Sequence, residues 1–124
     1  MSHLADAAAL RTYLTGGTGA EAVRAALSEG QVQVSSVTAA TVVGRYPTGS
    51  AGARKATLLL QSLVQLVPFT PEDALRVPAA PDVEGAAVLA TARRLNLTVL
   101  TPRAELAAAA EAAGIPATLI GAAP

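Results

Sequence analysis

At 124 residues the chain is the size of one compact domain, and it can bury about two-thirds of the surface its unfolded form exposes. Nine basic residues balance nine acidic ones, so there is no general attraction to nucleic acid or to an anionic membrane, only what a local patch supplies. No cysteine is present, which excludes disulfides, thiolate catalysis and cysteine-bound zinc.

The single histidine, His3, sits near the N-terminus, where it reads as a weakly held residue and not as part of a Ser-His-Asp triad. No N-terminal segment joins a basic start to a long apolar core, so no secretory signal is expected. "LADAAAL" (4–10) places one carboxylate, Asp6, between a short apolar stretch and a helix that it can cap. "GGTG" (16–19) follows a helix and lacks a Lys-Ser/Thr ending, so it reads as an interhelix turn, not a phosphate loop. Thr18 and Glu21 have the spacing of a capping box, with Val23, Ala26 and Leu27 on one face of the helix and Gly30 beyond its end.

"QVQVSSV" (31–37) alternates at period two and predicts a strand, followed by a short helix in "TAATVVGR" (38–45). "AGARKATLLLQSLV" (51–64) predicts a helix with Leu58, Leu59, Ser62 and Leu63 inward. "VQLVPF" (64–69) is a strand, and Thr70-Pro71-Glu72 opens another short helix. The most apolar run, "LLLQSLVQLV" (58–67), holds two glutamines and is too short to span a bilayer; a cytoplasmic protein is expected. "VPAAPD" (77–82) is a stiff loop, too short to link two domains.

Asp82 can cap a helix whose inner face is Val88, Leu89, Ala92 and Leu95. "LTVL" (97–100) is a strand, 102–114 a helix with Pro102 near its first position and Gly114 beyond its end, and "IPATLI" (115–120) the last strand. Strands separated by helices of this length predict a single α/β domain over 1–124: a three-layer sandwich, its central parallel sheet of about four to five strands covered by helices on both faces. Hydrophobic residues make up 52% of the chain but aromatics only 2%, so the layers pack on small side chains. Such sheets place ligands at the carboxyl ends of their strands, which directs attention to Asp6, to 35–41, to 101–103 and to the start of the helix at 82.

The order and spacing of these segments resemble the PIN domain, the fold of VapC-type ribonuclease toxins of toxin–antitoxin pairs. The resemblance runs from 4–27 through 32–46 and 64–76 to 83–120. It implies a quartet of carboxylates that holds Mg²⁺ or Mn²⁺ and activates a water for phosphodiester cleavage. Asp6 matches the first acid; the second falls on Thr41, the third on Gly85 beside Glu84, and the fourth on Arg103. Ala8 stands where a small hydroxyl residue often lies.

Asp6 is therefore expected to be the vestige of a dismantled set. A hard divalent cation needs several oxygen ligands, some of them charged. At ~5 Å and an effective dielectric near 20, Mg²⁺ and an arginine repel by roughly 6–7 kcal/mol before screening. For Asp6 itself the first reading is the cap of its helix, the second a bidentate ion pair with Arg103 where the metal would sit, and the third a working metal ligand.

No cofactor is expected on this reading. The domain would act by protein binding (a second copy in a homo-dimer, or an antitoxin-like partner) or weakly on RNA. Arg45, Arg54, Lys55, Arg93 and Arg94 are the candidates for phosphate contacts. The alternative is an active Mg²⁺/Mn²⁺-dependent endoribonuclease rebuilt around Asp6 and Glu84, with Asp82 as a further ligand. The sequence leaves open whether the chain is an enzyme.

Overall fold

The computed structural model describes residues 2–121. Its strands are β1 (His3–Ala5), β2 (Val32–Ser35), β3 (Gln65–Val67), β4 (Thr98–Thr101) and β5 (Ala117–Leu119). All pair in parallel in the order β3-β2-β1-β4-β5. The helices are α1 (Ala7–Thr15), α2 (Ala20–Ser28), α3 (Ser36–Val43), α4 (Ala51–Ser62), α5 (Pro71–Leu75), α6 (Val83–Leu95) and α7 (Ala104–Ala112).

The period of two along each strand divides the core into two layers. Ala5, Val32, Val34 and Leu100 face α1, α2 and α4, packing with Leu10, Val23, Ala56 and Leu59. Their chain neighbours Leu4 and Val99 point the other way, onto Val88, Leu89, Leu106 and Ala110 of α6 and α7. The three-layer α/β architecture expected from the sequence is the one observed.

Most local signals act as read. Asp6 caps α1 by accepting from Ala9 N at 2.8 Å, and Asp82 caps α6 by accepting from Gly85 N at 2.7 Å. Thr70 and Asp73 close a reciprocal capping box on α5.

Four details differ. The N-cap of α2 is Gly19, with no side-chain cap, so the Thr18–Glu21 box does not form. Gly19 has φ +96°, and a Cβ there would come within 3.0 Å of the Gly121 backbone; the docked C-terminal segment needs a glycine, and the helix starts one residue late. Pro102 lies outside α7, one residue before its N-cap Arg103. His3 is half-buried within β1 and its backbone N–H donates to Gln31, so it is held by the sheet.

The fourth correction concerns α4. Its buried face is Ala53, Ala56, Leu59 and Leu60, while Leu58 and Leu63 are exposed. Two stripes with helical spacing compete on this helix. The alanine-bearing one goes inside because small side chains let α4 lie close to the layer beneath.

Candidate functional site

The strand order makes β1 the centre of the sheet, with the chain passing to β2 on one side and β4 on the other. The carboxyl ends of these three strands surround the point where the order reverses. Asp6 follows β1, α3 follows β2, and Thr101 ends β4 beside Arg103. The first turn of α6 completes the ring with Asp82 and Glu84.

Asp6 is fully buried and both of its oxygens are engaged. Oδ1 accepts from Ala9 N, and Oδ2 accepts the Thr101 hydroxyl at 2.6 Å. Glu84 reaches from α6 to the same end of α1. Its Oε2 accepts the Thr38 hydroxyl at 2.6 Å and Ala7 N at 3.3 Å. Two carboxylates thus share the N-terminus of α1, whose unpaired amides and dipole favour negative charge.

Arg103 closes the site from the other side. Its guanidinium pairs with Asp82 at 2.9 Å, with Glu105 at 3.4 Å and with Glu84 Oε1 at 3.8 Å. Its backbone N–H donates to Thr101 Oγ1 at 3.0 Å, the hydroxyl that also serves Asp6. The expected Asp6–Arg103 ion pair is not among its contacts. Asp82, exposed at the mouth and bidentate toward the guanidinium, takes the arginine, and Asp6 is satisfied by Thr101 instead.

Burial raises the carboxyls of Asp6 and Glu84 above the ordinary range, against hydrogen bonds from Thr101 and Thr38 respectively that pull them down. Asp82 is held low, first by the Gly85 amide and then by Arg103. The consequences for stability have opposite signs. A raised carboxyl makes the native state bind its proton more tightly, so stability falls as pH rises from the unfolded value of about 4 through the folded one. A lowered carboxyl such as Asp82 loses its contribution as pH falls below about 4. Burial lowers His3, which makes stability rise with pH near the imidazole range.

Comparing wild type with Asp6→Asn removes these shared terms. Wild type is expected to lose stability relative to the variant as pH rises from 4 to 7, read from urea midpoints. Parallel profiles over that range would contradict the assigned direction.

Of the residues singled out in the sequence, Asp6, Asp82, Glu84 and Arg103 come together. Thr41 does not join them. It is half-buried and its hydroxyl donates to Val37 O within its own helix, while Thr38, one turn earlier and fully buried, holds Glu84. Gly85 contributes its amide, and a Cβ there would come within 3.1 Å of Leu106.

The candidate phosphate-binding cations have other partners or lie exposed elsewhere. Arg94 binds both oxygens of the buried Asp73 and the Pro68 carbonyl, and Arg93 donates to the Arg76 carbonyl. Against the desolvation of that burial, Arg94 keeps Asp73 low. Arg54 donates to the Gly49 carbonyl and is exposed with Arg45 and Lys55 on the outer side of α3 and α4.

Thr38 and Thr101 were missed as named positions. Their signal was present: each is a hydroxyl residue just after, or at the end of, a central strand, inside the windows 35–41 and 101–103.

The ion that the resemblance implies, Mg²⁺ or Mn²⁺, does not fit this donor set. Each Asp6 oxygen already accepts one protein donor, and Glu84 Oε2 accepts two. The remaining Glu84 oxygen and Asp82 face a guanidinium. Among the described residues no three His, Cys, Asp or Glu side chains group closely enough to hold a metal ion.

No family model matches the chain, and no curated protein sequence does. Solved structures do match. A chain of VapBC2 from Rickettsia felis, solved bound to a DNA fragment from its promoter, superposes with a TM-score of 0.73 at 9% identity, over 97% of this chain and 99% of that one. A chain of FitAB bound to the IR36 DNA fragment gives 0.69 at 17% identity, over 98% and 97%. One of FitAcB from Neisseria gonorrhoeae gives 0.62 at 19%, over 93% and 95%. The central strand order, the carboxylate pair at its reversal and these superpositions together establish that the chain has the PIN-like α/β fold of VapC- and FitB-type proteins.

Proposed function

We propose that this chain is a cytoplasmic, toxin–antitoxin-related PIN-like domain that works by binding a protein partner and not by metal-dependent RNA cleavage. The observation that carries the reading is the outer face of α4. Leu58 is 63% exposed and Leu63 45% exposed. Leu58 rims two clefts: one of about 310 Å³ between α1 and α4, lined also by Leu63, Tyr13, Leu14 and Leu59, and one of about 630 Å³ beside Val43 and Tyr46.

No acidic residue occurs between Glu29 and Glu72, a stretch that carries Arg45, Arg54 and Lys55. An apolar ridge whose charged lining residues are Arg54 and Lys55 fits an acidic amphipathic helix, its leucines seated in the clefts and its carboxylates over the basic rim. No helix among the described residues is long and apolar enough to cross a membrane, so the ridge is not explained as part of a span. The toxin–antitoxin systems that supply the structural neighbours make an antitoxin-like protein the natural source of such a helix.

Co-expression with the product of the adjacent open reading frame tests the proposal. Stable co-purification is expected, weakened roughly tenfold or more by Leu58→Asp, as for a buried apolar anchor, with the circular dichroism unchanged. Binding unaffected by Leu58→Asp removes this face from the reading.

A second arm incubates the chain with RNA and millimolar Mn²⁺. Cleavage no greater than that of Asp6→Asn is expected, and cleavage that disappears in Asp6→Asn establishes the rebuilt endoribonuclease instead. RNA binding without cleavage, falling steeply with salt, would assign Arg45, Arg54 and Lys55 to phosphates.

A further inference from the structure

β5 is one of the two edges of the sheet, and no strand among the described residues pairs with its outer side. The register fixes which of its backbone groups face out. Pro116 O accepts from Val99 N and Ile120 N donates to Thr101 O, both at 2.9 Å, so the even-numbered residues of this segment turn toward β4. The N–H and C=O of Ala117 and Leu119 therefore point away from the sheet, two donors and two acceptors in a row.

The strand is anchored on either side of these groups. Ile115 is buried in the layer of α6 and α7, and Ile120 in the layer of α1, α2 and α4. Beyond Ile120 the chain turns at Gly121, φ +71°, where a Cβ would come within 2.8 Å of the Thr18 carbonyl oxygen. Between the anchors Pro116, Ala117, Thr118 and Leu119 are all exposed. Charged side chains are a common guard on edge strands, and β5 carries none.

A cleft of about 540 Å³ opens between this edge and α7, walled by Ala104, Ala107, Ala108, Ala117 and Leu119, and Glu111 is its one charged lining residue. Glu111 is exposed and forms no salt bridge among the described residues. Residues 104–121 hold two glutamates and no lysine, arginine or histidine. The spacing also suits a strand. Ala107 and Glu111 are about 6 Å apart along the helix axis, and alternate side chains on one face of a strand are about 6.6 Å apart.

The geometry points to β5 and α7 as a docking edge for an extended, basic segment of a partner protein. The segment adds a sixth strand, seats an apolar side chain in the alanine-walled cleft and sets a lysine or arginine, two residues away, on Glu111. Backbone bonds to Ala117 and Leu119 supply the affinity, and the two side chains supply the selectivity. A second copy of this chain suits the edge less well, because pairing β5 with itself about a two-fold axis sets one acidic α7 beside the other. The cleft shares no residue with the two clefts at Leu58, so this site and the α4 face are tested independently.

The test titrates the isotope-labelled chain, followed by NMR, with a short synthetic peptide: lysine-threonine-valine-threonine-lysine flanked by serines, a pattern that reads the same in both directions. Saturable shifts of the Ala117 and Leu119 amides are expected, with a Kd on the order of 100 μM. Replacing the peptide's lysines by glutamates is expected to weaken binding roughly tenfold or more, and Glu111→Lys to reverse that preference. Ala117→Pro removes an outward N–H and no bond to β4, and is expected to abolish binding with the circular dichroism unchanged. Glu111→Lys lies at an exposed position and decides the matter if the proline variant does not fold.

β5 amides that do not respond to the lysine peptide overturn the proposal, and so does equal binding of the two peptides. A wild type that sediments as a dimer, and as a monomer once Ala117→Pro is introduced, assigns the edge to a second copy and overturns it as well.

Discussion

Asp6→Ala is expected to lose about 2–3 kcal/mol of unfolding free energy at pH 7, the sum of a lost helix cap and of buried polar groups left without a partner. Alanine orphans the Ala9 amide and the Thr101 hydroxyl in a site with no access to water. Relief from holding a carboxylate in that burial offsets part of the loss, which keeps the figure below the simple sum. Asp6→Asn keeps an acceptor for Ala9 N and brings no charge, and should stay within about 1 kcal/mol of wild type. Urea unfolding of the three proteins checks both values. Equal stability of the alanine and asparagine variants would mean that the cap and the Thr101 bond contribute nothing net.

Gly85→Asp is expected to cost about 2–4 kcal/mol and to confer no affinity for Mn²⁺. The first atom of any side chain at 85 lies 3.0 Å from Asp82 Oδ1 and 3.1 Å from Leu106 Cδ1. Neither neighbour is free to yield. Asp82 is the α6 cap, and Leu106 is fully buried in the core beneath α7. The new carboxylate would also stand beside that of Asp82. Gly85→Ala separates the two causes, since it carries the crowding without the charge. An aspartate variant as stable as wild type, measured by urea unfolding, would show that the α6–α7 contact relaxes easily.

These two substitutions bear on how the acids at this corner are held. In the structure they act as structural members. Asp6 and Glu84 tie α1, α3, α6 and the end of β4 to one another through Thr38 and Thr101. Asp82 holds its own helix and Arg103. With its acids occupied in this way, the corner ties four elements of the fold together.

Sequence alone determined whatever is encoded within a few residues of itself. The period-two run at 31–37 marked β2 and short apolar runs marked the other strands, Asp6 and Asp82 capped the helices they precede, and Thr70-Pro71 opened α5. The chain order of these pieces was enough to identify a parallel α/β sandwich and the strand ends where a site would lie. Each of these depends on contacts three or four residues apart, or on alternation along one strand.

Tertiary structure decided the partners. Whether Thr38 or Thr41 turns inward depends on how α3 lies against α6, 46 residues away along the chain at the Thr38–Glu84 bond. Arg103 meets Asp82 and not Asp6 because α6 presents its first turn to the start of α7. Arg94, read as free for phosphate, is taken by Asp73 for the same reason. On α4 two stripes satisfied the helical period equally, and only the closeness of the layer below selected the alanines and left Leu58 and Leu63 outside. A side chain's chemistry is written in the sequence, but its counterpart is fixed by which elements the strand order brings side by side.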